Sequence, residues 1–180
     1  GMSASVSWAV NDSPARVFVS NIWVPRYLQH GNFFYDLDSL DQEPKDQANT
    51  LGVNNCGWAW AANFVDFRNA GEQDIFVANG FISKDPTQHF WPRKRNEFRM
   101  GTLSTASGSF ENRYEIFRFN PDENFAGFQR DCIFRWDERR QAYREVSFIS
   151  GIKWFSDSRA VVAADFTNQG RQDLIVSVNQ

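Results

Sequence analysis

Two short loops in this chain carry carboxylates at both ends. Asp66 and Asp74 bracket a stretch containing Arg68, Asn69, Ala70, Gly71 and Gln73; Asp165 and Asp173 bracket one containing Thr167, Asn168, Gln169, Gly170 and Gln172. Two carboxylates held close repel unless something compensates them. In the first loop Arg68 lies between them, and a guanidinium can grip a carboxylate through two parallel N–H bonds. The expectation is that an ion pair from Arg68 to Asp66 or Asp74 holds this loop. In the second loop Thr167 and Gln169 supply neutral oxygens between the acids.

Other chemistry is sparse. The two histidines, His30 and His89, have no His or Glu at zinc-binding spacing. No nucleophile elbow, phosphate loop or dinucleotide fingerprint is present, so no catalytic residue is assigned. Arg93, Lys94, Arg95 and Arg99 form the densest basic spot, after Phe90 and Trp91. Pro92 and flanking acids interrupt it, and it reads as a solvated loop. Trp58 and Trp60, two apart, share one face of a strand; packing is expected in preference to stacking on a sugar. Cys56 and Cys132 are expected as two separate buried thiols, since pairing needs Cα atoms within ~7 Å.

The composition sets the background for these residues. The chain has 180 residues, a net charge of −3 and 42% hydrophobic residues, which disfavours a strongly basic nucleic-acid binder. No apolar run reaches the ~18 residues of a membrane-spanning helix. Gly1 before Met2 reads as a remnant of tag removal, and no signal peptide follows. Aromatic residues make up 16%, with 18 Phe and 7 Trp, which leans towards β-structure.

The acidic loops belong to a repeat. Residues 57–80 and 158–179 align at Asp66/Asp165, Phe67/Phe166, Asn69/Asn168, Gly71/Gly170, Gln73/Gln172 and Asp74/Asp173. Each copy reads strand, polar loop, strand. A worn copy over residues 5–21 has a loop read as shorter, with Arg16 where Asp74 stands; its strands start at Ser7 and Val17. The strand-ending Asn21, Asn79 and Asn179 are aligned, and residues 82–129 form an insertion. Strands are also expected at 32–35, 114–119, 132–136 and 143–147, with loops at 36–47 and 137–140.

A repeat of 50–60 residues built from about four strands is the signature of a propeller blade. The expected fold is all-β, with blades of antiparallel strands, about three in one domain over residues 2–180. Closed propellers have ~4–8 blades. The length therefore implies a fragment of a longer propeller, closure through another chain, or a small compact β-fold.

The stretch from Gly57 to Ser83, with Asn32–Tyr35, Tyr143–Ser147, Gly151–Ile152 and Ser158–Ala160, resembles the FG-GAP/VCBS repeat of integrin-α-like β-propellers. It is most similar to bacterial proteins akin to cartilage acidic protein. In that family the loop reads D-x-D-x-D-G-x-x-D and binds calcium, a hard cation that takes ~6–8 oxygens. The resemblance implies a degenerate calcium site at Asp165, Thr167, Gln169 and Asp173, and a still weaker one at Asp66, Asn69 and Asp74. Positions three and five have lost their acids, becoming Arg68 and Ala70 in one loop and Thr167 and Gln169 in the other.

The resemblance also implies a non-enzymatic binding or interaction module, periplasmic or secreted, for a protein or carbohydrate ligand. From the charge and the apolar runs, no nucleic-acid partner and no membrane span are expected. Two alternatives stand beside the binding module: a polysaccharide hydrolase or lyase using a cleft between blades, and a self-assembling propeller fragment that closes as a homo-oligomer.

Overall fold

The computed structural model describes residues 1–8, 14–24, 28–37, 43–90 and 121–179. The chain opens with β1 (Ser3–Ser7), β2 (Ala15–Ser20), β3 (Trp23–Val24), β4 (Leu28–Gln29) and β5 (Phe33–Leu37). Next come β6 (Ala59–Val65), β7 (Asp74–Asn79), β8 (Asp85–His89) and β9 (Glu123–Asn124). It ends with β10 (Cys132–Asp137), β11 (Ala142–Glu145), β12 (Ser158–Ala164) and β13 (Asp173–Val178). The architecture is all-β, as expected.

Three antiparallel sheets dominate. The N-terminal sheet has the order β1-β2-β5, the middle sheet β6-β7-β10-β11, and the C-terminal sheet is the hairpin β12-β13. Strands thus run up and down in sequence order, the order of a blade. The pairs β3-β4 and β8-β9 are short side features, the second of them parallel.

The middle sheet is the filling of a sandwich. Every residue of β7 is buried. Its alternation sends Ile75 and Val77 into one cluster, with Phe18 and Phe34 of the N-terminal sheet and with Phe64, Phe134 and Tyr143. Phe76 and Ala78 face the other way, with Val65, Ile133, Val146 and Ile152, against Val161, Ala163, Leu174 and Val176 of the C-terminal sheet. A strand covered on both faces needs a continuous apolar run, and Ile75-Phe76-Val77-Ala78 supplies it. A third cluster joins Trp58, Phe90, Phe125 and Val24, with Trp60, Phe81 and Ile22 packed on it.

The two firm repeats have the same backbone. β6 and β7 pair from Val65↔Asp74 back to Ala59↔Asn79, with an irregularity between Ala59 and Ala61. β12 and β13 pair from Ala164↔Asp173 back to Ser158↔Val178, with the irregularity at the same place, between Ser158 and Ala160. Val178, and not Asn179, therefore stands where Asn79 stands. The worn copy also differs from its reading. Its first strand is Ser3–Ser7, and Ser7 pairs with Arg16 as Val65 pairs with Asp74, so the intervening stretch is as long as in the other copies. The alignment drifted there because neither terminal Asp is present to mark it.

The cysteines correct the expectation of two separate thiols: Cys56 and Cys132 form a disulfide, with Cα atoms 6.2 Å apart. Cys132 opens β10 opposite Val77, and Cys56 lies just ahead of β6. The bond joins the segment ahead of β6 to the start of β10, a neighbour relation that exists only once β10 has docked beside β7. The strand reading at 114–119 and the basic spot at 93–99 lie outside the described residues.

Candidate functional site

The acidic loops sit side by side. The Asp66 amide donates to Gln172 Oε1 at 2.8 Å, and Asn69 Nδ2 donates to the Gly170 carbonyl. Each loop is wound around its first carboxylate. Asp66 accepts from the amides of Arg68 at 3.2 Å, Ala70 at 3.0 Å and Gly71 at 2.8 Å. Asp165 accepts from the amides of Gln169 at 3.0 Å and Gly170 at 2.6 Å. That wrapping requires left-handed backbone at two places per loop, and the sequence provides Asn69 and Gly71 in one, Asn168 and Gly170 in the other.

These bonds set the charges. Burial works against the charged form of Asp66, but the amides and Arg68 outweigh it and hold the carboxyl below its ordinary range. The Gln169 amide, joined by that of Gly170, does the same for Asp165. Asp74 behaves oppositely. It is fully buried at the start of β7, and burial pushes its pKa up. Its Oδ1 accepts from the Trp136 amide at 3.1 Å and Arg68 Nη2 at 3.4 Å. Arg68 also reaches Glu72 at 3.1 Å. The ion pair expected of Arg68 thus runs to Asp74 and Glu72, with no direct pair to Asp66.

Calcium fits the first loop poorly, because a guanidinium stands at position three and already neutralises Asp74. The second loop has Asp165, Asp173 and the hydroxyl of Thr167, which donates to Asp173 at 3.3 Å. Two carboxylates are few for a hard cation. Among the described residues, no three His, Cys, Asp or Glu side chains gather as metal ligands.

Beside the first loop, the β10–β11 turn forms a groove of about 460 Å³. Arg68, Arg135, Arg139 and Arg144 line it with Glu72, Asp137 and Glu138. Asp137 is engaged by Arg144 at 3.4 Å and Arg140 at 3.8 Å. Glu72, beside Glu138, pushes the Glu138 pKa up. Arg135 Nε is buried without a hydrogen-bond partner. A second hollow of about 280 Å³, lined by Trp8, Arg16, Glu72, Trp136 and Glu138, continues along the same end. Arg16 lies 5.5 Å over the Trp136 ring.

Of the groove residues only Arg68 was singled out in the sequence, because two separate segments supply the groove. The charged turn at 137–140 and the alternation at 143–147 gave the signal for the second segment. Trp58 and Trp60 pack as expected: Trp58 is buried, stacked on Phe81 at 5.1 Å and edge-on to Phe125 at 4.8 Å. Arg159 covers the Trp60 ring at 4.7 Å. His30 is exposed, and His89 Nδ1 lies 3.1 Å from Asn124 Nδ2.

Asp131 is a buried acid that the sequence gave no reason to single out. Its oxygens accept from the Asn79 amide at 2.7 Å and the Ser158 hydroxyl at 2.9 Å, so it ties the middle sheet to β12. Burial raises its pKa from 3.8 to about 6, against the opposing effect of both hydrogen bonds. A raised pKa means that the folded state holds the proton more tightly. The resulting stabilisation is complete below 3.8 and is lost as pH rises through about 6. Replacing Asp131 with Asn keeps an acceptor for Asn79 and removes the titration. The variant should gain on the parent by about 3 kcal/mol between the acid and alkaline ends of this window. Urea unfolding of both proteins across the pH range measures it; parallel curves would show that Asp131 does not titrate there.

Set against models of known protein families and against curated proteins, the chain matches none of them. No helix among the described residues is long and apolar enough to cross a membrane.

Proposed function

We propose that this protein is a non-enzymatic binding module, built on FG-GAP/VCBS-like blades and working outside the cytoplasm, that holds an acidic carbohydrate in the arginine-lined groove. The observation that carries this reading is the groove's unequal charge. Four guanidiniums, of Arg68, Arg135, Arg139 and Arg144, line it against the three carboxylates of Glu72, Asp137 and Glu138. Planar guanidinium forks match carboxylate and sulfate groups. The Cys56–Cys132 bond supports the compartment, because disulfides persist in oxidising environments. Calcium has no part in the first loop and at most a weak one in the second.

Calorimetry with polygalacturonate, and with neutral dextran as its counterpart, tests the proposal. Polygalacturonate should bind with an affinity that falls as salt rises, and dextran should not. Arg139→Ala and Arg144→Ala, both on exposed side chains, should each weaken binding by about tenfold. Equal binding of both polymers, or of neither, overturns the proposal. New reducing or unsaturated ends on prolonged incubation would favour the hydrolase or lyase reading.

A further inference from the structure

The C-terminal sheet has one covered face and one bare one. Val161, Ala163, Leu174 and Val176 pack on the middle sheet. On the opposite side Val162 is 54% exposed and Ile175 57%, and the two stand directly opposite each other in the hairpin. Ala160 and Ser177 are exposed beside them, and Phe166 is 51% exposed at the loop.

The repeat says what this face is for. Phe166, Ile175 and Ser177 align with Phe67, Phe76 and Ala78, and Ala160 aligns with Ala61. All four of those residues belong to the cluster against which the C-terminal sheet packs. The middle sheet therefore buries this face under the next sheet, and the C-terminal sheet leaves the same face open. Scattered exposed apolar residues need no explanation, but a contiguous face with a buried counterpart in the same chain marks an interface.

The residues that cover the middle sheet identify the complement. Val161, Ala163, Leu174 and Val176 occupy the same repeat positions as Ala4, Val6, Val17 and Val19 of β1 and β2. In the middle sheet those positions are Ala62, Phe64, Ile75 and Val77, all buried against the N-terminal sheet. On the N-terminal sheet they form the side opposite Phe18 and Phe34, where Val6 is 46% exposed. Phe33 and Tyr35 of β5 lie in register with Val19 and Val17 and extend this side with stacked rings 6.3 Å apart. One chain thus carries both halves of the contact that it uses twice inside itself.

We infer that the outer face of β12-β13 docks on the outer face of β1-β2-β5 of a second copy of this chain, head to tail. Such a contact is heterologous: the two surfaces differ, and a ring or a longer array results according to the rotation between copies. The docked layer repeats the sheet-on-sheet contact already present between the middle and C-terminal sheets, which makes the internal interface the template for the external one. This self-association does not depend on the ligand proposed for the groove.

Light scattering on the eluting full-length protein, over a series of concentrations, gives the first test. The chain should run at twice its 20.8 kDa mass or more. Ile175→Lys and Val6→Lys place a charge on one face each, at exposed positions where folding has little to lose. Each variant should run as a monomer with an unchanged circular-dichroism spectrum and melting temperature. Mixing the two decides the geometry. The Val6→Lys chain keeps an intact C-terminal face and the Ile175→Lys chain an intact N-terminal face, so together they should form a one-to-one pair. A parent protein that stays monomeric at every concentration overturns the inference. So does a dimer that survives either substitution, or variants that fail to pair when mixed.

Discussion

Reducing the Cys56–Cys132 bond will cost the protein about 4 kcal/mol of stability. The cost arises in the unfolded chain. The bond spans 76 residues, and opening a loop of that length returns conformational entropy worth about 4 kcal/mol to the denatured ensemble. Domains of this kind have only ~5–15 kcal/mol in total, so the loss is a large share of what there is. The folded state offers little relief, because both cysteines lie in the cluster between the N-terminal and middle sheets, 3% and 9% exposed. Replacing both with Ala adds a small packing loss to the entropic one. Urea unfolding with and without a phosphine reductant measures the effect. The midpoint should fall well below that of the oxidised protein, and thiol titration of unreduced, unfolded protein should find no free cysteine. An unchanged midpoint, or two titratable thiols before reduction, would show that the bond is not part of the fold.

The disulfide also marks the limit of what the chain discloses residue by residue. The hairpins β6-β7 and β12-β13 were legible because their turns need left-handed backbone at fixed places, and Asn69, Gly71, Asn168 and Gly170 announce those places. The flanking acids were legible for the same reason: they collect the amides that such turns turn inward. Strand β10 was legible from its apolar start, the turn after it from its charges, and β11 from alternation. The partner of β7 was not. Between β7 and β10 the chain runs through the whole insertion, and only tertiary packing brings Cys132 opposite Val77. The groove failed for a related reason. Arg68 and Glu72 come from one loop and Arg135 to Arg144 from another hairpin, so no local spacing connects them. Asp131 reads as one more surface acid, because nothing nearby in sequence reveals that Asn79 and Ser158 will close over it.

Phe76→Ala should destabilise the protein by about 3–5 kcal/mol, the range for removing a buried ring from a packed core. Phe76 is 1% exposed, on the central strand of the middle layer, and its ring fills the space between that layer and the C-terminal sheet. Truncation loses the transfer free energy of the ring and leaves a cavity walled by two sheets. Neither sheet can collapse into it freely, because Phe64 and Phe134 hold the middle layer from the other side. The informative comparison is with Ile175, which holds the same place in the next copy and is 57% exposed. In dilute solution Ile175→Ala should change stability by no more than about 0.5 kcal/mol. The difference between these two positions is one of layer, since their backbone setting is the same. At concentrations where copies dock, Ile175→Ala should begin to carry a cost and Phe76→Ala should keep the one it has. Denaturant unfolding of both variants at low and high protein concentration separates the two effects. A loss below about 1 kcal/mol for Phe76→Ala would mean that the C-terminal sheet is not packed on the middle one, and would remove the template on which the docking of a second copy rests.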